Sequence, residues 1–129
     1  HYDRAEEIMD EIGEAILASD KYLDAIDDLT IAITIDPEYA DAYFSRGSIY
    51  DRADKKKEAI ADYGKLLKLT NHKTDKEILN AFLKHYNPTR QPLADPLTIA
   101  KPINEARREL IKKRLKELKS EVKDIDNNR

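Results

Sequence analysis

Most side chains that could do chemistry in this 129-residue chain are carboxylates and amines, and the two kinds are unevenly distributed. Residues 1–63 contain 17 acidic against 7 basic side chains, a formal balance of −10. Residues 101–129 contain ten basic against six acidic side chains, a balance of +4. Because a cluster of like charges attracts a ligand of opposite charge, the first half predicts recognition of a basic partner.

Catalytic and metal-binding patterns find little support in the sequence. His1, His72 and His85 have no cysteine and no nearby histidine at the spacing that metal ligands show. The three glycines are isolated, and no Ser, His and Asp set falls on a known motif. We therefore predict a protein that is not an enzyme and that holds no metal or cofactor.

The elements that position these charges follow from an internal duplication. Residues recur at a fixed offset of 34 positions, and apolar character recurs with them, as a repeated packing unit requires. The identical pairs are Gly13 and Gly47, Asp20 and Asp54, Lys21 and Lys55, Ala25 and Ala59, Ile26 and Ile60, and Asp28 and Asp62.

The second unit, 40–73, shows what is repeated. Its key residues are Tyr43, Gly47 and Tyr50 on a first helix, then Ala59, Tyr63 and Leu66 on a second. This order resembles the tetratricopeptide repeat, whose pattern is a large aromatic, Gly, Tyr, Ala, an aromatic, Ala and a closing Pro. Residues 6–39 fit the same frame. Gly47 would permit close approach of the paired helices, and Ala59 would fill their crossing point. Met9, Arg46 and Leu66 depart from the family pattern.

The resemblance implies an all-α fold of antiparallel helical hairpins, with two full repeats at 6–39 and 40–73. The tyrosines of the second unit are expected in the core. Asp20 and Asp54 are predicted N-caps, and Asp36 with Pro37 predicts a cap followed by the first helical residue.

One segment of the first repeat has the period of a strand. Its alternating apolar residues are Leu29, Ile31, Ile33 and Ile35. The 34-residue register favours a helix there, with packing overriding β propensity.

Beyond residue 73 the repeat fades. Thr74 and Glu77 form a capping-box pattern that predicts a helix over 74–86, which would complete a domain over 1–86 as a degenerate capping helix. Four prolines in 87–102 predict an irregular connection. A long, amphipathic, basic helix follows over 103–126. Since two hairpins leave an apolar face bare, we expect 74–86 to cover it and 103–126 to pack at least partly against 74–86.

By resemblance to the family, a partner segment would lie on the concave face of the first helices. The positions there are Glu7, Asp10, Glu11, Glu14, Leu17, Asp41, Phe44, Ser45, Ser48, Asp51 and Arg52. The Lys and Asn clamp of chaperone-binding family members is absent. Phe44 is the expected apolar anchor, with packing between repeats as the alternative. A solvated acidic face without a partner is the simpler alternative for the whole stripe.

Three interpretations of the basic helix stay open. It could dock on the repeats, pair with a second copy as a short coiled coil, or make an electrostatic contact with nucleic acid, an acidic membrane or another molecule's acidic groove. A pI near 5.7 and the absence of a nucleic-acid motif argue against a nucleic-acid partner. Apolar runs of only a few residues argue against membrane insertion.

The sequence therefore predicts a protein-protein interaction module, an adaptor or co-chaperone-like scaffold that binds a basic partner segment on an acidic concave face. The alternative is a self-association module that forms a homodimer through 103–126. The compartment stays open, with the cytoplasm favoured.

Overall fold

The computed structural model describes residues 21–85 and 95–128, and every regular element in these ranges is a helix. The helices are α1 (Lys21–Ile35), α2 (Ala40–Arg52), α3 (Lys56–Leu69), α4 (Asp75–Lys84) and α5 (Pro96–Asn127). The all-α class is thereby confirmed. The predicted first helix of repeat 6–39, with the cap at Asp20, lies outside the described residues.

The alternating segment at the end of α1 is helical. Thr30 and Thr34 donate their hydroxyls to the carbonyls four residues earlier, at 2.7 and 2.8 Å. These bonds keep the hydroxyls within the helix. Ile33 packs against the core, whereas Ile31 and Ile35 are more than half exposed. Packing by one edge of the segment, rather than by alternate residues, has overridden its β propensity.

α2 and α3 form an antiparallel hairpin around one point of close approach. A Cβ atom added to Gly47 would lie 3.0 Å from two ring carbons of Tyr63 and 3.1 Å from Cβ of Asp62. Ala59 is fully buried, and Tyr43 and Tyr63 belong to the same core. The predicted close approach at Gly47 is confirmed.

An ion pair beside Gly47 joins three helices. Arg46 donates Nε and Nη2 to the two carboxylate oxygens of Asp62, at 2.8 and 2.7 Å, and Nη1 to Thr30 at 3.1 Å. Its guanidinium also lies within cation–π range of the Tyr43 and Tyr50 rings, at 6.0 and 5.8 Å from their centroids. Hydrogen bonding to Asp62 raises the pKa of Arg46 above its ordinary value. Arg46 thus links α1, α2 and α3.

Two of the predicted helix starts are wrong. Asp54 has φ 60°, the left-handed conformation that follows a helix C-terminus, and α3 begins two residues later. Asp tolerates this conformation better than most residues. Asp54 therefore follows the end of α2 rather than capping the start of α3. α2 begins at Ala40 rather than Pro37, because Asp36 accepts from the Glu38 N–H at 3.2 Å and forms a turn.

The capping box before α4 is confirmed in its main contact. The Thr74 hydroxyl accepts from the N–H of Glu77 at 3.2 Å. The Glu77 carboxylate reaches back to the N–H of Lys73 at 2.9 Å, one residue before the cap.

The long helix begins earlier than predicted. α5 starts at Pro96, so 96–102 is helical and the assignment of those residues to the irregular connection is wrong. Pro suits the first helical position because its missing N–H has no partner there. Pro102 is accommodated inside the helix, six residues after Pro96. The rest of the predicted connection, up to residue 94, lies outside the described residues.

α5 covers the bare face of the hairpin. Ile111, Leu115 and Leu118 are buried in the same core cluster as the tyrosines of α2 and α3. Burial of each such side chain contributes roughly 1.5–3 kcal/mol relative to exposure. The expected cover was the 74–86 helix, and the structure assigns that position to α5 instead.

α4 packs on α5, as expected of the two terminal helices. Ile78 and Ala100 are buried there, and Asp75 pairs with Lys101 at 3.2 Å. The other end of α4 reaches the turn between α1 and α2. His85 stacks on Tyr39 with ring centroids 4.1 Å apart.

The Gly47 contact gives a matched pair of substitutions. Gly47→Ala should lower the free energy of unfolding by about 1–2 kcal/mol, because the strain of overpacking exceeds the gain in helix propensity. Gly64→Ala in α3 should raise it by roughly 0.5–1 kcal/mol, because its added Cβ meets no atom within 4 Å. Urea denaturation followed by circular dichroism measures both. Equal effects at the two glycines would contradict the close approach.

Candidate functional site

The candidate site is the acidic face of α2, which we define as its predicted partner-binding residues. These are Asp41, Phe44, Ser45, Ser48, Asp51 and Arg52, and intervals of three, four and seven residues place them along one side of the helix. The predicted groove residues Glu7, Asp10, Glu11, Glu14 and Leu17 lie outside the described residues.

Asp51 is bound by an arginine from the far end of the chain. Arg114 donates Nε and Nη2 to the two carboxylate oxygens of Asp51, at 2.9 and 2.8 Å. The hydroxyl of Tyr63 donates to the same carboxylate at 3.2 Å. The Asp51 side chain is only 15% exposed, so solvent screens this fork weakly. Hydrogen bonding to Asp51 raises the pKa of Arg114 well above its ordinary value.

Asp41, near the start of α2, is bound by a single donor of another arginine of α5. Nη1 of Arg107 donates to the Asp41 carboxylate, and the guanidinium lies 5.6 Å from the ring centroid of Phe44. Phe44 is half-buried and packs against the core cluster. Phe44 therefore packs against the core beside Arg107 of α5 rather than standing free as an anchor. Packing between the two repeats, the alternative for this residue, stays a prediction because the first helix of repeat 6–39 lies outside the described residues.

The remaining positions of the acidic face lie at its margin. Ser45 and Arg52 are exposed. Ser48 is half-buried, and its hydroxyl donates to the carbonyl of Phe44 at 2.8 Å. In the described part of the predicted groove, Asp41 and Asp51 are thus bound by arginines of α5, and the other polar residues lie at the margin of the face.

Contacts along α5 fix its direction over the hairpin. Arg107 lies near Asp41 and Arg114 near Asp51, so α5 runs parallel to α2. Arg108 donates to the Leu67 carbonyl at 2.6 Å, and Glu121 pairs with Lys56 at 3.5 Å, so α5 runs antiparallel to α3. The docking interpretation of the basic helix is confirmed.

The three arginines of α5 have partners in α2 and α3. Arg108 also donates to the Thr70 hydroxyl, and so satisfies acceptors at the C-terminal end of α3. Arg107 and Arg114 hold the acidic face. The sequence did not single out these two arginines as partners of α2. The available signal was their type and spacing, since two arginines seven residues apart flank the apolar stripe that begins at Ile111.

The apolar side chains of α5 that were expected to pair with a second copy as a coiled coil pack instead against α2 and α3 of the same chain. Ile111, Leu115 and Leu118 are at most 8% exposed. Pairing with a second copy along this seam would require that α5 leave the hairpin. Ile103 and Leu110, on another side of α5, are 54% and 62% exposed.

An open cleft of about 860 Å³ lies where the α1–α2 turn, the end of α3, α4 and the start of α5 meet. Its lining includes Tyr39, Leu69, Ile78, Phe82, Ile103 and Arg107. Within the part of the chain that the structure describes, no three His, Asp or Glu side chains are grouped as metal ligands. None of the helices α1–α5 is long and apolar enough to cross a membrane.

Comparisons with protein-family models, with curated proteins and with solved structures find no match to this chain. Its function is therefore argued from its own residues and geometry.

Ionisation of Tyr63 reports on the packing beneath the acidic face. The pKa of Tyr63 is raised from its ordinary value of 10.0 to about 12, chiefly by burial; the hydrogen bond to Ser48 opposes this shift, and the neighbouring Asp51 carboxylate adds to it. Below pH 10 the tyrosine is protonated in both the folded and the unfolded chain. As the pH rises from 10 to 12, the unfolded chain ionises first, so the folded state loses stability.

We expect wild-type protein to lose about 2 kcal/mol of unfolding free energy over this range through Tyr63 alone. Tyr63→Phe should remove that part of the pH dependence, at a cost of about 1 kcal/mol near pH 8 for the lost hydrogen bond. Urea denaturation of both proteins at pH 8, 10 and 12 measures it. Subtracting the two profiles cancels the other titrating groups, and parallel profiles would show that Tyr63 is not protected by burial.

Proposed function

We propose that this chain is a protein-protein interaction module of the tetratricopeptide-like type, whose acidic face on α2 binds a basic segment of a partner protein. Its role would be that of an adaptor or co-chaperone-like scaffold without covalent chemistry. The observation that carries the proposal is the pair of contacts at Asp41 and Asp51. Each holds an arginine from a helix more than 60 residues away in the sequence.

The repeat pattern supports this proposal. The 34-residue offset and the helix contact at Gly47 are what the family resemblance implies for a stacked hairpin. Stacked hairpins present an extended surface along their first helices, and α2 would be one of them. By the same resemblance, the acids at positions 7, 10, 11 and 14 would extend this acidic surface.

The charge distribution supports a basic partner. The acids of residues 1–63 outnumber the bases by ten, so the field around this half is negative. Association with a basic segment should be accelerated by this field and weakened by salt. The geometry at Asp51 favours a partner that supplies arginine rather than lysine. Both oxygens of this carboxylate accept from two donors of one planar guanidinium.

The test measures binding of a library of basic peptides to the full chain. Asp41→Asn with Asp51→Asn should weaken binding at least about tenfold and flatten its dependence on salt, because the two charges that hold an arginine are removed. The matched control is Asp27→Asn with Asp28→Asn, two exposed acids of α1 that carry the same charge change.

Fluorescence anisotropy at several salt concentrations gives the dissociation constants, and circular dichroism confirms that each variant is folded. If both double variants weaken binding equally, the loss of affinity comes from the change in net charge and not from the acidic face. No effect of the α2 pair would show that the partner binds elsewhere.

Self-association is a second candidate, favoured by the exposed apolar side chains of α5. Ile103 and Leu110 lie seven residues apart, and each is more than half exposed. If this surface pairs two copies, light scattering should give a dimer mass that Ile103→Asp with Leu110→Asp returns to the monomer. A monomer mass for wild-type protein at all concentrations would rule this candidate out.

A further inference from the structure

We propose that α5 is an internal ligand of the acidic face, and that the partner of this face is an amphipathic helix with two arginines seven residues apart beside a stripe of Ile and Leu. This inference rests on the proposed function and narrows its partner class. It also gives the site a regulation, because α5 and the partner would compete for the same acids.

The polar half of this recognition pattern is read from α5 itself. Arg107 and Arg114 are separated by two helical turns, so both side chains leave the same side of α5 and reach α2. A lysine at 114 would supply one point charge in place of the fork on Asp51. The face therefore selects arginine over lysine at that position.

The apolar half of the pattern requires a helix. Leu118 is fully buried, and Ile111 and Leu115 are nearly so, against the tyrosines and Leu66 of the hairpin. An extended basic peptide could pair with Asp41 and Asp51 but would leave this apolar surface bare. Only a helix with apolar residues at the positions of α5 replaces both kinds of contact at once.

The fit between α5 and the acidic face is imperfect. The Nε atom of Arg107 is buried and finds no hydrogen-bond acceptor in the described part of the chain. A buried donor without an acceptor weakens the contact that contains it. The partner carboxylate at Asp41 is 59% exposed, so this ion pair is also screened by solvent. A competing helix that pairs every donor has an advantage at this end of the face.

Competition within one chain has a measurable consequence. A tethered ligand lowers the apparent affinity for a free one by the fraction of molecules in which the face is open. Weakening α5 at its two arginines, while the acids stay in place, should therefore raise the affinity for a partner helix. Substituting the acids should lower it, as the proposed function requires.

The probe is a synthetic, fluorescein-labelled peptide with the sequence of residues 99–125. The protein is the full chain as wild type, as Arg107→Gln with Arg114→Gln, and as the control Lys113→Gln with Lys116→Gln, which removes the same charge from two exposed positions of α5. The arginine variant should bind the peptide at least about tenfold more tightly than the other two proteins. A peptide with lysine at both arginine positions should bind the arginine variant at least about tenfold more weakly than the original peptide does.

Equal affinities of the three proteins, with binding still abolished by Asp41→Asn and Asp51→Asn, would overturn the internal-ligand proposal and leave the proposed function standing. Equal affinities of the arginine and lysine peptides would overturn the assigned partner pattern. If no basic peptide binds any of these proteins, both the inference and the proposed function fail.

A measurement on wild-type protein covers the case in which the arginine variant does not fold. Hydrogen exchange measured by mass spectrometry, with an isotopically heavy copy of the peptide so that its fragments differ in mass from those of α5, should show that saturating peptide accelerates exchange in α5, while α2 and α3 stay protected. Unchanged protection of α5 with peptide bound would overturn the proposal.

Discussion

The close approach of α2 and α3 at Gly47 is the constraint on which the rest of the structure depends. With only a hydrogen atom on Gly47, the ring of Tyr63 lies close against α2, and its hydroxyl reaches Asp51. The same approach brings Asp62 within hydrogen-bond distance of Arg46. The position of the acidic face relative to the core is therefore set by one residue that has no side chain.

The hairpin built on this contact leaves an apolar face that α5 covers, and the cover joins structure to function. The apolar stripe of α5 completes the core, while its arginines neutralise the acids beside that core. Either half alone would be a weak contact, since ion pairs near the surface contribute little and three aliphatic side chains form a small interface. Together they specify one position and one direction for the helix.

Much of this fold could be predicted from periodicity, because helix packing repeats at short intervals that the sequence displays. The core tyrosines of 40–73 and the contact at Gly47 belong to this class. The helix starts were less predictable, since an aspartate suits both an N-cap and the left-handed residue after a helix, as Asp54 shows. The first turns of α5 could not be predicted from the proline-dense segment, because proline is found both at the first position of a helix and just after its end. Pro96 occupies the first position.

The occupant of the acidic face could not be predicted for a different reason. Asp51 and Arg114 are 63 positions apart, and no periodicity connects them. The opposite charges of the two ends of the chain were visible in the sequence, but charge alone left open whether the basic helix meets its own groove, another copy or a separate partner. Only the burial of the apolar stripe decides that question.

The link that Arg46 forms among three helices makes the two halves of the duplication unequal. The position equivalent to Arg46 in the first unit is Ile12, whereas the aspartate that Arg46 binds has the exposed counterpart Asp28. An exchange of the two units would therefore bring a carboxylate into the interior without its guanidinium. The 34-residue spacing is therefore shared by the two units, but the charged contact that joins α1, α2 and α3 is specific to the second.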